Sequence, residues 1–204
     1  MYDIHAKAIQ DYSKLSSDNL ADVILMVVLS IQQPWYSIGD QLKDVKLNGV
    51  DSRFIWGNKI KTYNSLMAKK DFIFSQFLAV VNSKKSDDDK ALSLMNIFLR
   101  VDGLGMVKAG FVCQLTAGLV GCIDLHNIRI YNIPLKDLKL SKSLKSKAIK
   151  NERVMNYISI CHKIGTKELW NTWCNHLATK SKKFEDGFHV SKVHQDFLLN
   201  AVNL

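Results

Sequence analysis

Proline is almost missing from this chain: only Pro34 and Pro134 interrupt its 204 residues. Long alternating stretches are missing too, and most segments place apolar residues three and four apart, the spacing of one helical face. An all-α fold is expected. No C-x-x-C pair occurs. Cys113, Cys122, Cys161 and Cys174 fall 9, 39 and 13 residues apart with no histidine at zinc-finger spacing, so they read as buried thiols and no metal site is expected. His189 and His194 are five apart and off one helical face, while His162 and His176 lack carboxylate neighbours at ligand spacing. No apolar run reaches the ~20 residues of a bilayer span. The longest, Val23 to Ile31, is broken only by Ser30 and reads as a buried helix. No small-residue cleavage site follows it, which argues against a secretory signal and for an intracellular protein of the cytoplasm or nucleoid with no membrane partner. Internal repeats and low-complexity linkers are lacking as well.

What the chain has is basic charge and helix signals. With 28 Lys plus Arg against 19 Asp plus Glu, the formal charge of +9 favours a polyanionic partner, nucleic acid first and a membrane surface second. At 47% hydrophobic content it can bury an ordinary core, as one domain or two small lobes. Helices are expected from Asp3 to Leu15, Leu20 to Gln32, Trp35 to Val45, Asp51 to Met67, Asp71 to Val81, Asp88 to Arg100, Met106 to Ala117, Asp124 to Tyr131, Lys145 to His162, Lys167 to Ala178 and His189 to Ala201. In "SKKSDDDKALSLMNIFLR", Ser86 can cap, Asp87 to Asp89 sit at the positive end of the helix dipole, and Leu92, Met95 and Leu99 form a stripe; the acids are therefore helix chemistry. Basic residues recur at 136, 139, 142, 145, 147, 150 and 153 against only Asp137 and Glu152, an imbalance that fits a phosphate-facing surface.

In "VDGLGMVKAGF" a helix ending near Arg100 meets Gly103 and Gly105, and a new helix starts at once. Glycine permits positive φ and close backbone approach there. The new helix's first amides, from Gly105 to Lys108, have no intrahelical acceptors and can seat a phosphate oxygen. Such a seat would position a protein on DNA without reading sequence. A plain αα-turn would use the same glycines. After the second helix comes "GCIDLHNIRI", in which Asp124, His126 and Arg129 are spaced D-x-H-x-x-R. A carboxylate opening a helix can serve as its cap.

The order of these parts resembles the helix-hairpin-helix DNA glycosylases of the endonuclease III type, whose pattern is L-P-G-V-G-x-K-x-A, a helix, then V-D-T-H-x-x-R. The early "VVLSIQQPW" is similar to that family's first barrel helix, which ends L-L-S-x-Q and inserts a glutamine into the duplex; Gln32 or Gln33 matches it. The resemblance spans essentially the whole chain. It implies two helical lobes with a DNA-binding cleft between them: a barrel at 20–123 holding the helix-hairpin-helix at about 92–118, and a second lobe from 1–19 plus 124–204. It further implies a monomer that flips a damaged or mispaired base out of double-stranded DNA and cleaves its N-glycosidic bond. Asp124 would stabilise the oxocarbenium-like transition state or orient the attacking water. Gly103, Gly105, Val107 and Lys108 would hold the backbone beside the flipped nucleotide, with Arg129 a further DNA contact. Gln32 or Gln33 would fill the vacated space, and Trp35, Tyr36 and His126 are pocket candidates.

Three departures shape the expectation. The family's strand-cutting lysine stands two residues after the second glycine, where this chain has Val107. Lys108 comes one place later, a rotation of about 100° that aims its amine away from the pocket. A base-releasing enzyme without lyase activity is expected; a locally shifted hairpin would restore Lys108 as the nucleophile. Asp102 replaces the family's proline and puts an acid near the phosphate seat. Cys161 and Cys174 cannot make the C-x6-C-x2-C-x5-C cluster of many relatives, so no iron-sulfur cofactor is expected. Two other readings remain: a helix-hairpin-helix binding module that has lost chemistry, and a membrane-surface binder, disfavoured by the scarcity of basic amphipathic helices with exposed aromatics.

Overall fold

The computed structural model describes residues 9, 11–31, 33, 37–138, 140 and 146–180. Eight α-helices carry the described fold, and no strand occurs among those residues: α1 (Ser17–Leu29), α2 (Ile38–Asn48), α3 (Asn58–Val81), α4 (Asp87–Phe98), α5 (Met106–Thr116), α6 (Leu125–Ile130), α7 (Lys147–Ile164) and α8 (Thr166–Lys180). None of them is long and apolar enough to cross a membrane.

Two helices are interior. Every residue of α1 from Leu20 to Leu29 is buried, Asp22 included; its carboxylate accepts from Lys46 at 2.6 Å. In α5, Met106 and residues 109–116 are all buried, so this helix is enclosed on all sides. Around them, α1 packs on α2, α3 and α5, and α4 packs on α3, α5 and α7. Helix α8 closes on α6 and α7. One apolar cluster runs through all of this, from Ile9 to Cys174.

Local signals set the helix starts. Ser16 caps α1 in a reciprocal box with Asn19, Ser86 accepts from the Asp89 amide, and Ser146 from the Ile149 amide, each satisfying an amide that the helix cannot. The expected break between Met67 and Asp71 is absent: α3 is continuous. Ala68, Lys69 and Lys70 are good helix formers, and Asp71 is an exposed mid-helix residue, not a cap. The expected helix from Asp3 to Leu15 falls largely outside the described residues; its described end is a 3-10 turn, Tyr12–Lys14. The helix expected from His189 to Ala201 also lies outside them. His162, without a carboxylate neighbour in sequence, meets one in space: Nδ1 lies 3.2 Å from Asp88 of α4, and Nε2 is 3.0 Å from the Leu119 carbonyl.

Candidate functional site

The hairpin between α4 and α5 is built against α3. Gly103 has φ +91°, and a Cβ there would stand 2.2 Å from Thr62 Oγ1, so conformation and contact both require glycine. The Asp102 amide donates to Ser65 Oγ at 2.9 Å, and Lys69 Nζ donates to the Arg100 carbonyl at 2.8 Å. Asp102's carboxylate lies 3.8 Å from Lys69. The acid expected to oppose an anion at the hairpin is thus partly offset by a cation of α3. Gly105 is the N-cap of α5, extended at φ −90° and ψ 175° with no side-chain cap, and nothing lies within 4 Å of where its Cβ would be. The first amides of α5 begin beside open space.

Behind this helix start the chain is pinned by a tyrosine. Tyr157 of α7 is fully buried; its hydroxyl donates to the Gly121 carbonyl at 2.9 Å and accepts from the Ile123 amide at 3.1 Å. Cys161 Sγ adds a longer contact to the same carbonyl at 3.5 Å. Gln114 of α5 accepts from the Cys122 amide at 2.9 Å and donates to the Thr166 carbonyl at 3.0 Å. A Cβ on Gly110 would lie 2.6 Å from Tyr157 Oη and 2.7 Å from the Gly121 carbonyl oxygen. Since the second obstacle is backbone, Gly110→Ala is expected to destabilise the fold by about 1–3 kcal/mol, measured by denaturant unfolding.

That pinned segment delivers Asp124. Its Oδ1 accepts from the His126 amide at 3.0 Å and the Asn127 amide at 2.8 Å, so it caps α6, and no second bond is made to Oδ2 among the described residues. Asp124 also lines a small cavity of about 20 Å³ with Phe111, Gln114, Cys122, Leu169, Trp170 and Trp173. That is room for one water. Trp170 and Trp173 sit one turn apart on α8 with ring centroids 4.9 Å apart, and Phe111 packs within 6.4 Å and 6.3 Å of them.

Lys108 is not among the residues that line this cavity. Its Nζ donates to Ser30 Oγ at 3.3 Å and lies 5.8 Å from the Phe111 ring, the ring that lines the Asp124 cavity. Burial pushes its ammonium below the usual lysine range, against the opposing influence of Cys122 and Asp124. Cys122 is held as a thiol: burial raises it to about 12, with Lys108 pulling the other way.

The remaining expected residues scatter. Val107 is half-buried against the core. Gln33 is half-buried and its side-chain oxygen accepts from Gln41 at 3.3 Å. Arg129 is exposed in the last turn of α6. The ring of His126 stacks on His176 of α8 at 3.4 Å between centroids, 26° from parallel. Gln32, Trp35 and Tyr36 lie outside the described residues. Of the basic run, Lys136, Lys147 and Arg153 are exposed, and residues 139, 142 and 145 lie outside the described residues.

Sequence reading missed Phe111, Gln114, Trp170 and Trp173. Only the Trp-x-x-Trp spacing of the last two, which puts both rings on one helical face, could have flagged any of them. Among the described residues no group of three or more His, Cys, Asp and Glu could hold a metal ion. No protein-family model, no curated protein and no solved structure matches this chain.

Proposed function

We propose that this protein is a DNA glycosylase, in which a two-lobed helical body holds a duplex and Asp124 promotes hydrolysis of the N-glycosidic bond of an extruded base. The observation that carries the reading is Asp124 itself: one oxygen is fixed by two amides, and the side chain stands on an aromatic-lined cavity with room for one water. Cleavage builds positive charge on the sugar, and a carboxylate fixed in a partly apolar site stabilises that charge more than a mobile one in water. The same carboxylate can orient the water that attacks. The uncapped start of α5 at Gly105 would take a backbone phosphate. Exposed Lys136, Lys147 and Arg153 would add charge contacts. Arg129, Gln32, Gln33, Trp35, Tyr36 and His126 keep the roles that the family resemblance gives them.

A second reading, a glycosylase that also cuts the strand through a Schiff base, is favoured by one observation: the Lys108 amine, its pKa lowered by burial, lies 5.8 Å from the Phe111 ring, which also lines the Asp124 cavity.

Duplexes carrying uracil, a thymine mismatch, 8-oxoguanine, an oxidised pyrimidine or an alkylated purine form the test. Release of free base from one of them is expected; release from none leaves a binding module. Duplex affinity is expected to fall by about tenfold or more between 50 and 200 mM salt, since several phosphate contacts release counterions. A titration insensitive to salt would remove the polyanion from the argument.

A further inference from the structure

Helices α6 and α8 are joined at several points, and one of these reaches further than the rest. Tyr131 Oη lies 2.8 Å from Thr172 Oγ1, and the His126 ring stacks on His176. Asn127, only 1% exposed, makes the further link. Its Nδ2 donates to the Leu169 carbonyl of α8 at 3.3 Å and also to the Cys122 carbonyl at 2.9 Å. Its backbone amide donates to Asp124 Oδ1 at 2.8 Å. The two stretches that it bridges are already in contact, since a Cβ on Gly121 would lie 2.4 Å from Leu169 Cδ1. Cys122, Asp124 and Leu169 all line the small cavity. Asn127 is bonded to each of the three and does not line it.

We propose that Asn127 is a positioning residue that sets the Asp124 carboxylate against the aromatic wall of its cavity. This rests on the reading in which Asp124 promotes base release. Cys122 stands two residues before Asp124, and Leu169 stands directly before Trp170. One side chain therefore ties the segment that carries the acid to the helix that carries the two tryptophans. A carboxylate acts on a developing charge from a fixed place, and about 1 Å of misplacement can cost about 10²-fold in rate.

The chemistry of the link calls for an amide. Two carbonyl oxygens only accept, so the group between them must bring two N–H bonds without a charge. Asparagine does so; a hydroxyl brings one donor, and an ionised carboxylate or an aliphatic side chain brings none. Buried carbonyls left without a donor are costly, which makes the link specific. The other bonds to the segment do different work. Tyr157 ties it to α7. Gln114 ties the Cys122 amide to α5 and to the Thr166 carbonyl, one turn before Trp170. Asn127 makes its bond at the wall itself.

The test uses the full chain as wild type, Asn127→Val and Tyr131→Phe. The last removes a bond between the same two helices and leaves the segment before α6 untouched. Single-turnover release is measured at saturating protein on the lesion duplexes named above, beside duplex affinity. Asn127→Val is expected to release base about tenfold or more slowly than wild type with affinity unchanged, and Tyr131→Phe to match wild type in both. Cys122, followed by peptide mass spectrometry, is expected to react with iodoacetamide about tenfold faster in Asn127→Val alone, as the segment opens locally. A further measurement needs no variant: in NMR spectra of wild type, the Asn127 side-chain amide protons are expected to exchange with solvent at least about 10²-fold more slowly than those of an exposed asparagine. Exchange at the exposed rate, Cys122 labelling unmoved in Asn127→Val, or release by Asn127→Val at the wild-type rate overturns the role of Asn127 alone. So does an equal slowing by Tyr131→Phe. A wild-type protein that releases base from none of the duplexes overturns the reading of Asp124 and this proposal with it.

Discussion

Asp124→Asn is expected to slow base release by at least about 10²-fold, the scale on which a fixed electrostatic contact to a developing charge acts, while the protein stays folded and still binds duplex. Asparagine serves as an N-cap as well as aspartate does. Its side-chain oxygen can take the His126 and Asn127 amides that Oδ1 takes now. Only the charge at the start of α6 is lost, a change of about 0.3–1 kcal/mol. The substitution therefore separates two duties that the wild-type carboxylate combines. Asp124→Ala would not, because it also removes the cap, at about 1 kcal/mol. The measurement pairs single-turnover release from a lesion duplex with thermal unfolding of both variants. Wild-type release by Asp124→Asn would reduce Asp124 to a helix cap and leave the hairpin as a DNA grip without chemistry.

Tyr157→Phe is expected to be the most damaging conservative change away from the site. Its hydroxyl satisfies the Gly121 carbonyl and the Ile123 amide, both buried behind α5. A buried group left without its partner costs about 1–3 kcal/mol, and the Cys161 contact at 3.5 Å only partly replaces one of the two. The expected loss is about 3 kcal/mol, a fall in Tm of roughly 6–12 °C for a chain of this length. Release should also slow, because residues 121–123 lead directly into Asp124. A loss under about 0.5 kcal/mol, the level of an ordinary surface change, would mean that this hydroxyl does not hold the segment.

Local grammar made much of the fold readable. Ser86 ahead of three aspartates placed the start of α4 to within a residue, the two glycines placed α5, and Asp124 was read correctly as a possible cap. Each depends on residues within one turn. What was misread depends on contacts far apart in sequence. Asp71 looked like a helix start because nothing local shows that α3 runs on beneath α1 and α4. The partner of Lys108, a hydroxyl 78 residues away in sequence, could not be read from the rotation of a bare helix. The cavity draws its aromatic wall from α5 and α8, some 60 residues apart, and periodicity reports only that each helix has an apolar side.

One face of α3 works as a ruler. Lys59 reaches the end of α1, Thr62 touches Gly103, Ser65 holds the Asp102 amide, and Lys69 holds the Arg100 carbonyl. These four positions recur every three or four residues, and at 1.5 Å per residue they span about 15 Å. The gap between the buried amine and the hairpin is therefore set by a count of residues in one rigid element. Inserting a single alanine after Ser65 would turn the far end by about 100°. The bond from Lys69 to the Arg100 carbonyl would be lost while Lys59, Thr62 and Ser65 kept their places, so a change in length within α3 would leave the hairpin held only at Asp102 and Gly103.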